Sequence, residues 1–230
     1  MSETKHVQED IQAYWLKQPE LFAGAYEERG RGFLSGFLAR FLRDRLGQII
    51  PLLQVRPGER VIDVGCGSGP YLEALVKMGA QVTGVDYSAE MLRLAKERLA
   101  RAGIHDVPLI QADARDLSAI AGPFDWVLAV GLLDYVPDTL QVLREFNRLL
   151  RAGGRLLATI PKNPSPFFFI RSGPGNWLRR MALDLPPILV AVNRAELEAL
   201  WTRAGFALQQ VAVTQATMWI TLSQKTTAQE

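Results

Sequence analysis

The stretch VIDVGCGSGP, residues 61–70, constrains the fold more than any other part of this 230-residue chain. A run of branched apolar residues that contains Asp63 predicts a short buried strand, and the alternating glycines after it predict a tight turn into a helix. Glycines at such a turn let a ligand come close to free backbone N–H groups. We therefore expect a nucleotide-like ligand at the end of this strand.

The glycine spacing argues against the two common phosphate-binding turns. Gly65 and Gly67 fit the start of the dinucleotide pattern G-x-G-x-x-G, but Pro70 stands where the third glycine or an alanine is needed. The lysine followed by serine or threonine of the P-loop pattern is also missing. An NAD(P)-dependent oxidoreductase is therefore kept only as an alternative.

Strand-like and helix-like segments alternate from residue 59 to residue 161, which predicts a doubly wound, mostly parallel α/β sheet. The predicted strands are 59–64, 81–86, 107–113, 124–130 and 154–161. The predicted helices are 70–79, 88–103 (with Ser88 as its N-cap), 137–154 and 193–205 (with Asn193 as its N-cap). Two more strands, 206–215 and 216–224, are expected to form an antiparallel pair at the sheet edge, which brings the total to seven.

The chain divides into a cap and a main domain. Apolar residues at three- and four-residue spacings predict an N-terminal helical cap over residues 1–57, and residues 58–230 form the main domain. A second cap segment, rich in proline and aromatic residues, is inserted at about 161–192. Its aromatic side chains could line a pocket for an apolar acceptor or form the cap's own core, and the FFFI run could touch a membrane surface.

Composition excludes several other classes of protein. Apolar residues make up 48% and charged residues 22% of the chain, which is typical of a globular protein, and the net charge of +2 gives no support to nucleic-acid binding. The single cysteine excludes an internal disulfide and a cysteine-cluster metal site, and no metal site is predicted. The polar N-terminus and the absence of an apolar run of roughly 20 residues predict a cytoplasmic protein.

The pattern around Asp63 resembles the first motif of class I S-adenosylmethionine (SAM)-dependent methyltransferases, and the resemblance covers residues 58–160 closely. It implies a Rossmann-like methyltransferase fold, with SAM as the cofactor. Asp63 and the glycine turn would surround its methionine half, Asp86 would accept hydrogen bonds from the ribose hydroxyls, and Asp113 would lie at the adenine amino group. The cofactor-binding residues implied by the resemblance are Asp63, Gly65, Cys66, Gly67, Gly69, Asp86, Tyr87, Met91, Asp113, Ala114 and Val130.

Each of these carboxylates also has an ordinary structural interpretation. Asp63 could simply end a strand, Asp86 could cap a helix and Asp113 could form a turn. Their joint occurrence, in order and each at the end of a strand, favours the cofactor. SAM carries no phosphate, which agrees with the lack of a basic residue in the turn.

The segment VGLLDYVPD, residues 130–138, follows the fourth strand and matches the family's motif beside the sulfonium. Asp134 and Tyr135 are the predicted catalytic residues, one of them orienting the nucleophile or taking its proton. In the alternative interpretation Tyr135 packs under the cofactor and Asp134 contributes to a turn.

The predicted function is methyl transfer from SAM to a small-molecule acceptor, by in-line displacement at the sulfonium. The acceptor is apolar or aromatic in this interpretation, and contact with a membrane surface or a lipophilic substrate stays open. Nucleic acid is not expected, because VGLLDYVPD lacks the Asn/Asp-Pro-Pro-Tyr signature of base-directed enzymes. A non-catalytic SAM-binding partner subunit is the alternative from another class of protein.

Overall fold

The computed structural model describes residues 33–165, 168–169, 188–214 and 217–226, with side chains from residue 40 onward. Its helices and strands, in chain order, are α1 (Phe33–Ile49), β1 (Arg60–Val64), α2 (Pro70–Lys77), β2 (Gln81–Asp86), α3 (Ala89–Arg101), β3 (Leu109–Gln111), β4 (Phe124–Ala129), α4 (Thr139–Leu149), β5 (Leu150–Pro161), α5 (Arg194–Arg203), β6 (Phe206–Thr214) and β7 (Met218–Lys225). A 3-10 turn, Ile50–Leu52, follows α1.

The seven strands form one sheet in the order β3-β2-β1-β4-β5-β7-β6. Strands β1 to β5 are parallel to one another, and β7 runs antiparallel to both β5 and β6. From β1 the chain builds outward to β2 and β3, then returns to place β4 on the other side of β1. Ligands of open α/β sheets bind where the strand order reverses in this way, at the carboxyl ends of the strands. The predicted fold class is confirmed.

Successive residues of the strands pack into two apolar clusters, one on each face of the sheet. Val61 faces a cluster that includes side chains of α2 and α3 and the end of α1, whereas Ile62 faces a cluster with α4 and α5. Both residues are fully buried. Burial on both faces explains why the strand sequences read as continuous apolar runs, and why the polar Asp63 within one of them stands out.

Two predicted boundaries are wrong. The helix predicted over residues 137–154 does not continue to residue 154, because Leu150 pairs with Phe124 and already belongs to β5. A positive φ of 68° at Gly153 and a register shift in the β4–β5 pairing accompany this irregular start. The third strand is also shorter than predicted, since only Leu109–Gln111 pairs with β2.

The two predicted helix caps are confirmed. The Ser88 hydroxyl accepts a hydrogen bond from the Met91 N–H at 3.2 Å and begins α3. Asn193 and Glu196 form a complete capping box at the start of α5, with each side chain accepting from the other residue's N–H. Because both caps satisfy N–H groups that the helix leaves unpaired, they anchor the two helix starts.

Over the described ranges, none of the helices has both the length and the apolarity needed to cross a membrane. The cytoplasmic compartment stays a prediction. The division into a cap of residues 1–57 and a main domain also stays one, since residues 1–32 lie outside the described residues.

Candidate cofactor and acceptor site

The glycine-rich turn leaves the end of β1 and folds over the end of β2. Gly65, Gly67 and Gly69 have φ values of 75°, 52° and 78°, a region that side chains with a Cβ rarely adopt. The N–H groups of Gly65 and Cys66 both donate to the Val85 carbonyl, at 2.8 and 3.0 Å. The glycines of the predicted motif are therefore required by the backbone conformation of the turn.

Asp86, at the end of β2, holds this turn through its carboxylate. Oδ2 accepts a hydrogen bond from the Gly67 N–H at 2.8 Å, and Oδ1 accepts one from the Ser88 N–H at 2.9 Å. Burial raises the pKa of Asp86, and the N–H groups that donate to it lower that pKa only in part. Each oxygen keeps capacity for a second donor, so the carboxylate can accept hydrogen bonds from a ligand as well.

Asp63 is the most deeply buried of the three predicted carboxylates, with 1% of its surface exposed. Its Oδ2 has no hydrogen-bond partner among the residues that the structure describes. Burial, and secondarily the charge of Asp86, raises the pKa of Asp63 to about 8. Because an ionised carboxylate without a partner is costly in such a place, this position suits a cationic ligand group.

Gly84 of β2 pairs with Asp63 of β1 in the sheet. Because Gly84 has no side chain, α2 can pack closely on β2 at this position. A Cβ on Gly84 would lie 2.8 Å from side-chain atoms of both Leu72 and Leu109, and 3.2 Å from the Cys66 sulfur. Burial, followed by the charges of Asp63 and Asp86, raises the pKa of the Cys66 thiol. Cys66 therefore packs inside the turn as a neutral thiol.

Asp113 lies two residues beyond β3, next to the end of β2. Arg115 binds its carboxylate through Nε and Nη2, with a closest distance of 2.5 Å, and the Arg115 N–H donates to Oδ1 at 2.9 Å. Burial alone would raise the pKa of Asp113, but the hydrogen bonds from Arg115 outweigh it and the pKa is lowered. Asp113 is thus an ionised acceptor.

The remaining predicted cofactor residues lie around these three carboxylates. Ala114, Met91 and Val130 are buried. Tyr87 is 44% exposed, and its carbonyl accepts a hydrogen bond from the Gln111 side chain. The fold thus gathers the predicted residues at the carboxyl ends of β1, β2, β3 and β4.

The loop after β4 packs directly on the glycine turn. A Cβ on Gly65 would lie 3.1 Å from the Leu132 side chain, and the Gly131 N–H donates to the Thr159 hydroxyl of β5 at 2.8 Å. Asp134 is 3% exposed, and its carbonyl accepts a hydrogen bond from the Leu189 N–H at 2.8 Å. Tyr135 is half-buried. Both predicted catalytic residues therefore belong to a loop that contacts the predicted cofactor turn.

A buried arginine adjoins the same loop and was not predicted from the sequence. Arg45 of α1 is 8% exposed, and its Nη1 lies 2.9 Å from where a Cβ on Gly131 would be. The position of Arg45 in the sequence pattern is a signal from which this arginine could have been predicted. Arg45 shares one helix face with the buried Leu42 and Ile49, which lie three residues before and four residues after it. An arginine on the apolar face of a helix indicates that its charge has a function other than contact with solvent.

Residues 188–192, here called the strap, lie between the loop after β4 and the end of β5. The strap joins the Asp134 carbonyl through Leu189 and the end of β5 through Val192, whose N–H donates to the Pro161 carbonyl at 3.0 Å. The Trp219 indole of β7 donates to the Val192 carbonyl at 2.9 Å. This segment ends the predicted cap insertion.

Most of the predicted cap aromatics lie outside the described residues. Phe168 and Phe169 are described, and Phe169 is 53% exposed. The three interpretations of the cap (acceptor pocket, separate core and membrane contact) therefore all stay open.

The sheet order, the glycine turn without a lysine and the carboxylates at the carboxyl ends of three neighbouring strands define a class: Rossmann-like proteins that bind an adenosyl cofactor at the strand-order switch. Residues 62–158 match the family described as "Methyltransferase domain". The chain belongs to this family, the class I SAM-dependent methyltransferases, and the predicted family and cofactor are confirmed at that level.

Curated relatives support the same assignment. Ubiquinone biosynthesis O-methyltransferase from Stutzerimonas stutzeri (strain A1501) is 31% identical over 184 residues, a match covering 73% of this chain and 78% of the relative. The protein of that name from Xylella fastidiosa (strain 9a5c) is 31% identical over 76% of this chain and 70% of its own length. That from Xanthomonas axonopodis pv. citri is 33% identical over 67% of this chain, but only 65% of the relative's length is spanned.

A solved structure extends the similarity of fold beyond the family segment. Magnesium protoporphyrin IX methyltransferase from Synechocystis PCC 6803, with bound SAH, has a TM-score of 0.76 to this chain at 16% identity. The superposition covers 96% of this chain and all of that one. At this identity the comparison supports the fold alone.

Proposed function

We propose that the protein transfers a methyl group from SAM to an oxygen atom of a small apolar or aromatic acceptor. The observation that carries this proposal is Asp63, a buried carboxylate beside a glycine turn, one oxygen of which has no hydrogen-bond partner in the described part of the chain. The relatives named O-methyltransferases support oxygen as the acceptor atom. The residues present fit SAM chemically, since the ligand brings an ammonium group, hydroxyls and an adenine amino group to three carboxylates.

The proposed cofactor site assigns one part of SAM to each group. Asp63 faces the ammonium of the amino-acid half, and Arg45 its carboxylate, because a buried guanidinium is well suited to bind that anion. Asp86 accepts hydrogen bonds from the ribose hydroxyls. Asp113 accepts one from the adenine amino group, and the Ala114 N–H donates to the ring. Met91 and Val130 supply apolar surface.

When bound, SAM would supply a methyl carbon that bonds to the acceptor oxygen as its bond to the sulfonium sulfur breaks, with SAH as the leaving group. The chain contributes orientation and exclusion of water, which can provide much of the rate when the acceptor oxygen is acidic. We expect Asp134 and Tyr135 to lie near the methyl group of bound SAM, where one of them orients the acceptor hydroxyl or takes its proton. Because the strap is hydrogen-bonded to the Asp134 carbonyl, we expect it to border the acceptor in the proposed site.

The proposed function is tested by binding and turnover together. Calorimetry measures S-adenosylhomocysteine (SAH) binding, and labelled SAM measures transfer to catechol and to a 4-alkylcatechol. Binding of SAH with methyl transfer to either phenol supports the proposal. Binding without transfer to any hydroxyl acceptor favours a non-catalytic subunit, and binding of NAD(P) with no response to SAH overturns the cofactor assignment.

Tyr135→Phe is expected to lower kcat about tenfold, the scale of one lost hydrogen bond, while the Kd for SAH stays unchanged. The split between kcat and Kd is the measurement, made with the catechol that turns over best. Equal activity of Tyr135→Phe and wild type would assign Tyr135 to packing.

Arg45→Met is expected to weaken SAH binding about tenfold, because it removes the cation proposed for the ligand carboxylate. The decarboxylated analogue S-adenosyl-3-thiopropylamine keeps the ammonium and should bind both proteins equally well. Arg40→Met is the control, since Arg40 lies on the same helix with 81% of its side chain exposed. Equal losses for both ligands would contradict the carboxylate assignment.

A further inference from the structure

The glycine turn needs to be held in place if it is to bind a ligand tightly. Gly65, Gly67 and Gly69 give the backbone more freedom than other residues would, and that freedom is lost on ordering. The N–H groups of Gly65, Cys66 and Gly67 donate to β2, and the N–H of Gly69 donates to the Cys66 carbonyl within the turn. The carbonyl of Ser68, which is itself only 4% exposed, needs a donor from elsewhere.

Arg98 of α3 supplies that donor from 30 residues further along the chain. Its Nε donates to the Ser68 carbonyl at 3.0 Å, and its side chain is 12% exposed. Its Nη1 lies 3.8 Å from Oε2 of Glu73 on α2. One guanidinium therefore connects the turn with both helices that follow it in the sequence.

The contact is stronger than a neutral hydrogen bond, because the donor is charged and largely shielded from water. Without this hydrogen bond the Ser68 carbonyl would be buried without a donor, and the turn could relax into other backbone conformations that glycine can adopt. The bond ends on a backbone carbonyl, so Arg98 acts on the ligand only through the shape of the turn.

We propose that Arg98 is a positioning residue for the cofactor: through the Ser68 carbonyl it holds the glycine turn in the conformation that accepts the amino-acid half of SAM. This inference rests on the proposed function, in which the turn surrounds that half of the ligand. It assigns a basic side chain to the turn although the motif itself contains none.

The test compares two ligands that differ in the amino-acid half. Arg98→Gln should weaken SAH binding about tenfold in calorimetry, while 5′-methylthioadenosine, which lacks that half, should bind within twofold of wild type. Arg101→Gln is the matched control, an exposed arginine on the same helix, and should leave both affinities unchanged. If the role of Arg98 were purely structural, Arg98→Gln would bind both ligands more weakly by the same factor.

Arg98→Lys keeps the charge but loses the planar donor, and should show a smaller loss in the same direction. This variant decides the matter if Arg98→Gln unfolds, as judged by its Tm. Equal losses for both ligands, or unchanged SAH binding in both variants, would overturn the proposal. If wild type binds neither ligand, the proposed function itself fails, which is a separate result.

Discussion

Asp63→Asn is expected to stabilise the cofactor-free protein in mildly basic solution. Burial holds the pKa of Asp63 at about 8 in the folded protein, far above the ordinary 3.8, so the folded state keeps a proton that the unfolded state has released. Between these two pKa values the folded state binds more protons than the unfolded one. The free energy of unfolding therefore falls as pH rises from about 4 to 8 on account of this group.

The neutral asparagine removes that dependence. The free energy of unfolding of Asp63→Asn minus that of wild type should be a few kcal/mol larger at about pH 9 than at about pH 5. Urea unfolding across this range measures the change. A parallel pH dependence of the two proteins would show that Asp63 does not titrate as the structure indicates.

Asp125→Asn is the control, with the opposite sign. Burial alone would raise the pKa of Asp125, but the Arg151 side chain and the Arg60 N–H donate to its carboxylate and lower that pKa. The contribution of Asp125 to stability is therefore present above its unfolded pKa and lost as pH falls through the folded one. Its replacement should alter the acid side of the profile alone.

The affinity for the cofactor should depend on the same proton of Asp63. If the ligand ammonium requires an ionised Asp63, binding releases a proton, and the SAH association constant should rise about tenfold per pH unit between pH 6 and 7.5. Calorimetry in buffers of different ionisation enthalpy counts the released proton directly. In Asp63→Asn the affinity should be weaker and independent of pH. A flat wild-type profile would refute the pairing of Asp63 with the ammonium.

Asp86→Ala is expected to weaken SAH binding by about 1.5–3 kcal/mol, which is tenfold to more than a hundredfold. The loss has two sources, since Asp86 is proposed to accept from the ribose hydroxyls and also holds the Gly67 and Ser88 N–H groups. Calorimetry measures the affinity, and Asp106→Ala, which removes an exposed carboxylate, is the control. Unchanged affinity in Asp86→Ala would show that the ribose assignment is wrong.

Asp86→Asn separates the two sources. Asparagine keeps an oxygen that can accept one backbone hydrogen bond, but its amide nitrogen cannot accept a second. We expect this variant to keep the Tm of wild type more closely than Asp86→Ala does, yet to bind SAH more weakly than wild type. Restoration of full affinity by asparagine would mean that the carboxylate only holds the turn.

Local patterns made the sheet and its cofactor edge predictable. Buried strands read as apolar runs, helices begin at capping residues such as Ser88 and Asn193, and the positive φ of Gly65 requires glycine. Each signal depends on neighbouring residues alone. The end of α4 escaped prediction because Leu150 leaves the helix to pair with Phe124 in another strand, and that pairing has no local signal.

The sequence by itself therefore determined the fold class, the glycine turn and the carboxylates that end three strands. Only the tertiary structure decided what surrounds them: the burial of Asp63, Arg45 beside Gly131, and Arg98 on the Ser68 carbonyl. The physical reason is distance along the chain. These contacts join residues that lie far apart in sequence, and only packing of the helices on the sheet brings a charge next to a particular backbone atom or removes water from a particular carboxylate.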